Sequence, residues 1–397
     1  MHGQIGITVA AEAVRSAIGP YIGAIAPECA FPKERIIMAK KIRVGVWGPG
    51  GVGACAVREL ARNPNIELVG VLAYSAHKDG VDAGTLVGIG ELGVKTTTDV
   101  SRFLAAKPDC VFYAARDFTN FNTDPDILML LEAGVNVITA LPYHYPKYRG
   151  DGVAAKFDAA GKKGGATLFG TGINPGFMGE RLAVLMTTLS QEVEFIRIDE
   201  YFNCQNLENA VEVLKIIGFG TPPEALAANT IAAQFPSNKI PETVMHMADM
   251  LGIKLDRIER TTHHYFAEET FDVPGIFEIK RGTAAIISYK WTGYSNGRPR
   301  LSNQIYWYMH ERVRPAAATS NDCWIITTEG RPSTRVVLDI KGSVERNLAL
   351  LPDNPTPAGF VATVSAMIAA IPNVIAADPG LMLTPPPAIH WRERAPA

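Results

Sequence analysis

Residues Lys41 to Gly53 read KIRVGVWGPGGVG: an apolar strand running straight into a glycine cluster. The next residues, VGACAVRELARN, carry helical spacing that places Val52, Cys55, Ala56 and Leu60 on one face. Gly48, Gly50 and Gly53 therefore satisfy G-x-G-x-x-G where a strand hands over to a helix. Gly48 permits the tight turn, Gly50 lets the backbone approach a pyrophosphate, and Gly53 lets the helix pack on the strand. With Gly51 and Val52 these positions present backbone N–H groups at a helix N-terminus, where an anion is favoured. The stretch predicts a dinucleotide site rather than a glycine turn that binds nothing.

Working outward, the alternation continues. IELVGVLAY is a second strand, a short one follows near Val94, and Asp99 caps a helix before the strand CVFYAA. Asp124-Pro125 opens the helix ILMLLEAG, and VNVITA and ATLFG are two further strands. Strands alternating with helices predict an α/β fold, a Rossmann-type doubly wound parallel sheet. After Gly176 the rhythm changes. A helix over Glu180 to Leu189 leads into the long strand VEFIRIDEYFN, helical text runs to Leu251, and residues 256–344 are mostly β with GR, EG and NG turns. Long antiparallel strands are the expectation there. A helix from Ala358 to Ala370 returns to the first domain, with Pro372 at its exit. The expected divisions are a poorly attached extension (1–37), the nucleotide domain (38–175), the α+β domain (176–350), the returning helix (351–383) and a Pro-rich tail (384–397).

Bulk properties narrow the partners. Of 397 residues, 47% are hydrophobic, and Lys+Arg 38 against Asp+Glu 40 leaves a formal charge of -2, which argues against a nucleic-acid surface. No apolar run reaches membrane-spanning length, so no membrane span is expected. The five cysteines include no CxxC pair. That excludes a zinc ribbon or a disulfide framework and suits a reducing, cytoplasmic setting. No His, Cys, Asp or Glu cluster has metal-ligand spacing, so no metal is expected.

The second strand ends in Ala73-Tyr74-Ser75-Ala76-His77-Lys78, without the acid that would hold a ribose 2′-OH. Ser75, His77 and Lys78 suit a 2′-phosphate, which favours NADP over NAD; solvated loop residues are the plainer reading, nearest to hand for His77.

Three stretches carry a resemblance: VWGPGGVG with ELVGVLAYSAHKDGVDAGTLVGIGELGV, then LLEAGVNVIT, then GTGINPGF at Gly170 to Phe177. Together they resemble the dihydrodipicolinate-reductase-like superfamily, in particular its 2,4-diaminopentanoate dehydrogenase and native amine dehydrogenase branch. The resemblance implies a Rossmann domain, an inserted α+β domain for substrate and dimer contacts, a final helix returning to the first domain, and hydride transfer between a nicotinamide and a C=N or amine carbon. It implies that Ala114, Ala115 and Arg116 lie along the nicotinamide, that Thr139 and Ala140 border the hydride position, and that Asn174, Pro175 and Gly176 form the turn between the domains. Two departures matter. The first strand of the second domain reads Asp199-Glu200-Tyr201-Phe202-Asn203, without the His-His pair of dihydrodipicolinate reductases. The carboxylate that the amine branch carries after its fifth strand is replaced by Leu141-Pro142-Tyr143-His144-Tyr145.

Candidate catalytic groups follow. His144, after a parallel strand's carboxyl end, suits acid–base work near neutral pH, or is a loop histidine flanked by packing tyrosines. Tyr143 and Tyr145 stand behind it as hydrogen-bond donors or aromatic walls. Alternation places Glu200 with Ile196, Ile198 and Phe202, so a carboxylate on an apolar face needs partners: a substrate nitrogen, or a salt bridge at a sheet edge. In IYWYMHER, Tyr306, Tyr308 and His310 share one face and Ile305, Trp307 and Met309 the other. His263 and His264 alternate across their strand and cannot meet at one metal. The expectation is an NAD(P)H-dependent oxidoreductase acting at a C=O or C=N carbon of a small, moderately hydrophobic substrate, as a homodimer. An amine dehydrogenase or imine reductase is the narrower alternative, and a non-catalytic NADP-binding sensor the one from another class.

Overall fold

The computed structural model describes residues 40–115, 121–207, 211–228, 240–344 and 356–387. The amino-terminal extension, Arg116 and the tail from 388 lie outside the described residues.

The first domain is built on a seven-stranded parallel sheet: β1 (Ile42–Trp47), β2 (Ile66–Leu72), β3 (Thr96–Thr97), β4 (Cys110–Tyr113), β5 (Asn136–Thr139), β6 (Thr167–Gly170) and β15 (Gly380–Met382). Their order is β15-β6-β5-β4-β1-β2-β3, so the chain reverses direction of travel between β1 and β4. That is the switch point outside whose strand ends ligands bind in doubly wound sheets. Helix α1 (Gly51–Arg62) buries Cys55, Ala56, Val57 and Leu60 on the sheet, whereas Val52 is only half-buried. Helices α2 (Val100–Ala105), α3 (Asp124–Glu132) and α4 (Asp151–Gly164) complete the layers. Asp99 caps α2, accepting from the Ser101 and Arg102 N–H groups. Burial makes these strands uniformly apolar: β4 reads CVFY with all four residues buried.

The second domain is a six-stranded sheet, ordered β14-β13-β7-β12-β11-β8. Its strands are β7 (Glu192–Asn203), β8 (Arg257–Phe266), β11 (Ala284–Ser295), β12 (Arg298–Tyr308), β13 (Asp322–Arg331) and β14 (Thr334–Asp339), with β9 (Phe271–Val273) and β10 (Phe277–Ile279) a separate hairpin. The expectation of antiparallel strands needs one correction: β7 and β12 run parallel. Periodicity reports which face a residue occupies and is blind to strand direction. Helix α5 (Ile240–Met250) covers one face, where Ile240, Val244 and Met247 meet Ile196, Ile198, Ile305 and Trp324. The opposite face carries Tyr201, Tyr308, Cys323 and Ile325, with the Tyr201 and Tyr306 rings stacked at 4.9 Å.

Helix α6 (Ala358–Ala376) returns to the first domain, and β15 then adds an edge strand that the sequence reading did not contain. α6 also runs through Pro372 instead of ending near Ala370. The lost hydrogen bond is offset because Ile371 and Val374 are buried in the first core, each worth roughly 1.5–3 kcal/mol. Among the described residues α6 alone is long and apolar enough to cross a membrane; here Val364, Met367, Ile371 and Val374 pack beneath the first sheet. The start of α6 ties the two sheets together. The Gly359 N–H donates to Asp322 Oδ2 at 2.9 Å, and Phe360 stacks on Phe202.

Candidate active site

The glycine loop has the geometry the motif demands. Gly48 sits at φ +90°, and a Cβ there would stand 2.8 Å from Ala114 O. A Cβ on Gly53 would come within 2.0 Å of Gly48 O. At Gly50 the space is open, and no side chain caps α1, so its first N–H groups point where a phosphate would lie. These residues fit a dinucleotide pyrophosphate. Ser75 and His77 are exposed and Lys78 half-exposed, just past the end of β2, beside the loop: the Gly48 N–H donates to Leu72 O at 2.8 Å.

Beyond α1 lies a cleft of ≈ 250 Å³ between the domains. Val52, Tyr113, Ala114, Ala140 and Leu141 line it from the first domain, Gly172, Ile173, Asn174 and Pro175 from the joining turn, and Glu200, Ile240, Ile305 and Trp307 from the second. It thus brings Val52, Ala114, Ala140, Asn174, Pro175 and Glu200 together. Ala115 lies under the Gly48 turn. Thr139 is fully buried, its hydroxyl donating to Tyr113 O and accepting from the Leu141 N–H, so it shapes the rim through backbone.

Glu200 stands on an interior strand, which removes the sheet-edge reading. It is 7% exposed, and three neutral donors grip its carboxylate: Trp307 Nε1 to Oε1 at 3.1 Å, Trp324 Nε1 to Oε2 at 3.0 Å, and Asn174 Nδ2 to Oε2 at 2.8 Å. Sheet register explains the grip. Trp324 on β13 lies directly across from Glu200, and on β12 Ile305 does, with Trp307 two residues on along the same face. Asn303 Nδ2 in turn donates to Asn174 Oδ1 at 2.9 Å, fixing the amide that faces Glu200.

His144 and Tyr143 lie elsewhere. Tyr143 is fully buried in the first domain; its hydroxyl donates to Asp124 Oδ1 at 2.7 Å and meets Thr123 Oγ1 at 2.7 Å. His144 is 3% exposed, behind the cleft wall and not on it. Tyr145 stacks on His246, ring centroids 4.7 Å apart. Gly176 is buried at φ +121°.

Sequence reasoning missed Trp324, Asn303, Glu180 and Glu242. Trp324 lies in text that reads as strand, but its pairing with Glu200 depends on strand order. Glu180 and Glu242 sit in helical text that reads as surface, yet both are buried.

Residues 42–140 match the family described as dihydrodipicolinate reductase, N-terminus. An amine dehydrogenase of Streptomyces virginiae is 28% identical over 346 residues, covering 85% of this chain and 93% of that protein. A 2,4-diaminopentanoate dehydrogenase of Acetoanaerobium sticklandii is 23% identical, covering 86% and 92%. The solved amine dehydrogenase of Mycobacterium smegmatis superposes with a TM-score of 0.72 at 21% identity, covering 89% of this chain and 98% of that one, and shares the fold. Likeness across nearly the whole length of such proteins does not favour a non-catalytic sensor.

Proposed function

We propose that this chain, an NAD(P)-dependent oxidoreductase with a nucleotide domain of the dihydrodipicolinate-reductase type, exchanges hydride with a carbon that bears nitrogen: an amine in one direction, an imine in the other. The observation that carries the reading is Glu200. An ionised carboxylate only accepts hydrogen bonds, and so does a carbonyl oxygen; the two repel at close range. An ammonium or protonated imine donates and brings the opposite charge. Trp307, Trp324 and Asn174 hold both oxygens of Glu200, so its direction into the cleft is preset before substrate arrives. In this sequence Glu200 thereby takes the role of the carboxylate lacking at Leu141–Tyr145.

The nicotinamide, when bound, supplies or takes the hydride. Ala114, Ala140 and Val52 leave the flat space that its ring needs, while Ile240, Ile305 and Trp307 exclude water and favour an apolar substituent on a small substrate. Ser75 and Lys78, with no acid at the end of β2, support a preference for NADP. Four cysteines, Cys55, Cys110, Cys204 and Cys323, are unpaired and buried, which supports a reducing cytoplasmic setting. The aromatic face around Tyr201 and Tyr306, next to exposed Tyr265, supports a homodimer.

The test is NADPH oxidation with a panel of small apolar ketones, with and without ammonium. Turnover that requires ammonium is expected. Equal turnover without it would replace amine with carbonyl chemistry. For the cofactor, K78A is expected to weaken NADPH binding about tenfold and leave NADH unchanged, one phosphate contact being worth roughly 1.5 kcal/mol. Equal losses for both would remove the 2′-phosphate contact.

A further inference from the structure

Behind the cleft, helix α5 lies against two segments of the first half of the chain: the turn over Asn174–Gly176 with the residues after it, and the loop over Leu141–Tyr145. Two carboxylic acids are buried at that contact, Glu180 at 1% and Glu242 at 0% exposure. Glu180 Oε2 accepts the Gly176 N–H at 2.9 Å. Glu242 Oε2 accepts the Tyr145 N–H at 2.9 Å. Gly176 closes the turn whose Asn174 grips Glu200, and the loop to Tyr145 begins with the cleft residue Leu141. There is little slack: a Cβ on Gly179 would stand 2.4 Å from Thr243 Cγ2 of α5.

We propose that Glu180 and Glu242 are positioning residues, a buried carboxyl pair that fixes the Asn174–Gly176 turn and the Leu141–Tyr145 loop and so sets Glu200 and the walls of the nicotinamide cleft. Neither acid touches the cleft; each acts through backbone N–H groups that a looser contact would release. Uncharged acids serve this purpose best, because a buried ionised carboxylate carries a desolvation cost. Burial pushes Glu242 up to about 8, against the pull of the Tyr145 N–H and Arg149. Burial likewise raises Glu180. The titratable groups around the pair are Arg149, Tyr148 and Lys147 from the turn after Tyr145, Arg181 beside Glu180, and His246 and Asp249 on α5 itself. His246 is held down to about 4 by burial and stays neutral near physiological pH. At neutral pH Glu242 therefore keeps its proton, and glutamine is its closest uncharged copy. As pH rises through the value of Glu242, the loop loosens.

The experiment titrates the full chain with two probes, NADPH and 2′-phospho-ADP-ribose, which lacks the nicotinamide, from about pH 6.5 to about pH 9. In the native protein the dissociation constant of NADPH should rise about threefold or more across that range and bound-nicotinamide fluorescence should fall, while 2′-phospho-ADP-ribose binding stays flat. E242Q should keep the neutral-pH NADPH signal and lose its pH dependence. E242A and E180A should lose the nicotinamide signal at every pH with 2′-phospho-ADP-ribose binding intact, and E180Q should restore it. A pH profile shared by native protein and E242Q overturns the proposal, as does a native nicotinamide signal in both alanine variants. Should the alanine variants not fold, the glutamine profiles decide. None of these readings depends on whether the substrate carries nitrogen.

Discussion

Glu200 shows how one side chain draws its chemistry from its neighbours. A charge on an apolar face is tolerated because two indoles and an amide donate to it, and that solvation is fixed in direction where water's is not. E200Q should keep the shape but lose the charge-assisted bond to a substrate nitrogen. The expected fall in kcat/KM is about 10- to 100-fold, the equivalent of 1.5–3 kcal/mol, with NADPH affinity unchanged in the same titration. Glu242 makes a second prediction, with a definite sign. Its folded value of about 8 lies above the ordinary 4.5. The stability it contributes is fully present below 4.5, declines as pH rises through the window, and is gone above about 8. Denaturant midpoints against pH should show that decline in the native chain and a flatter curve in E242Q. Gly53 was readable from the motif alone, and the structure supplies the reason: G53A would drive a methyl group into Gly48 O and should cost more than about 3 kcal/mol in chemical unfolding.

At the level of elements, the strands of the first sheet other than β3 and β15 were legible as short apolar runs, while β3, the pair Thr96–Thr97, lies just past the short strand expected near Val94. β15 is three residues long and borrows its pairing from β6, so nothing local marks it. The faces of β7 and β12 were legible too, down to Glu200 among isoleucines. Which strands neighbour Glu200 was not, since a parallel pair separated by about a hundred residues leaves no local trace. His144 drew attention through its position after β5, and the fold turned that loop toward α5. In α6 the exposed Pro372 interrupts hydrogen bonding that the rest of the helix maintains. P372A should raise stability by about 1–3 kcal/mol, read as a higher Tm.

Among the described residues, the two large sheets are joined at one turn and pinned by one returning helix. The Gly359–Asp322 bond and the Phe360–Phe202 stack place that pin next to the cleft. Analytical ultracentrifugation should find a dimer, and substituting Tyr265 and Tyr306 with charged residues should yield monomers. A chain ending before α6 should expose the first core and precipitate on expression, although its glycine loop is intact.

The return of α6 and β15 also orders events in time. A ribosome releases the glycine loop early, yet the sheet beneath it lacks its last helix and its edge until some 380 residues have emerged. Glu200 likewise waits for Trp307 and Trp324, more than a hundred residues downstream, before its two indole donors are in place. The nascent protein thus carries a nucleotide domain that stays unfinished for most of its synthesis. Chaperone dependence should follow the arrival of the carboxyl end and not the completion of residues 42–140.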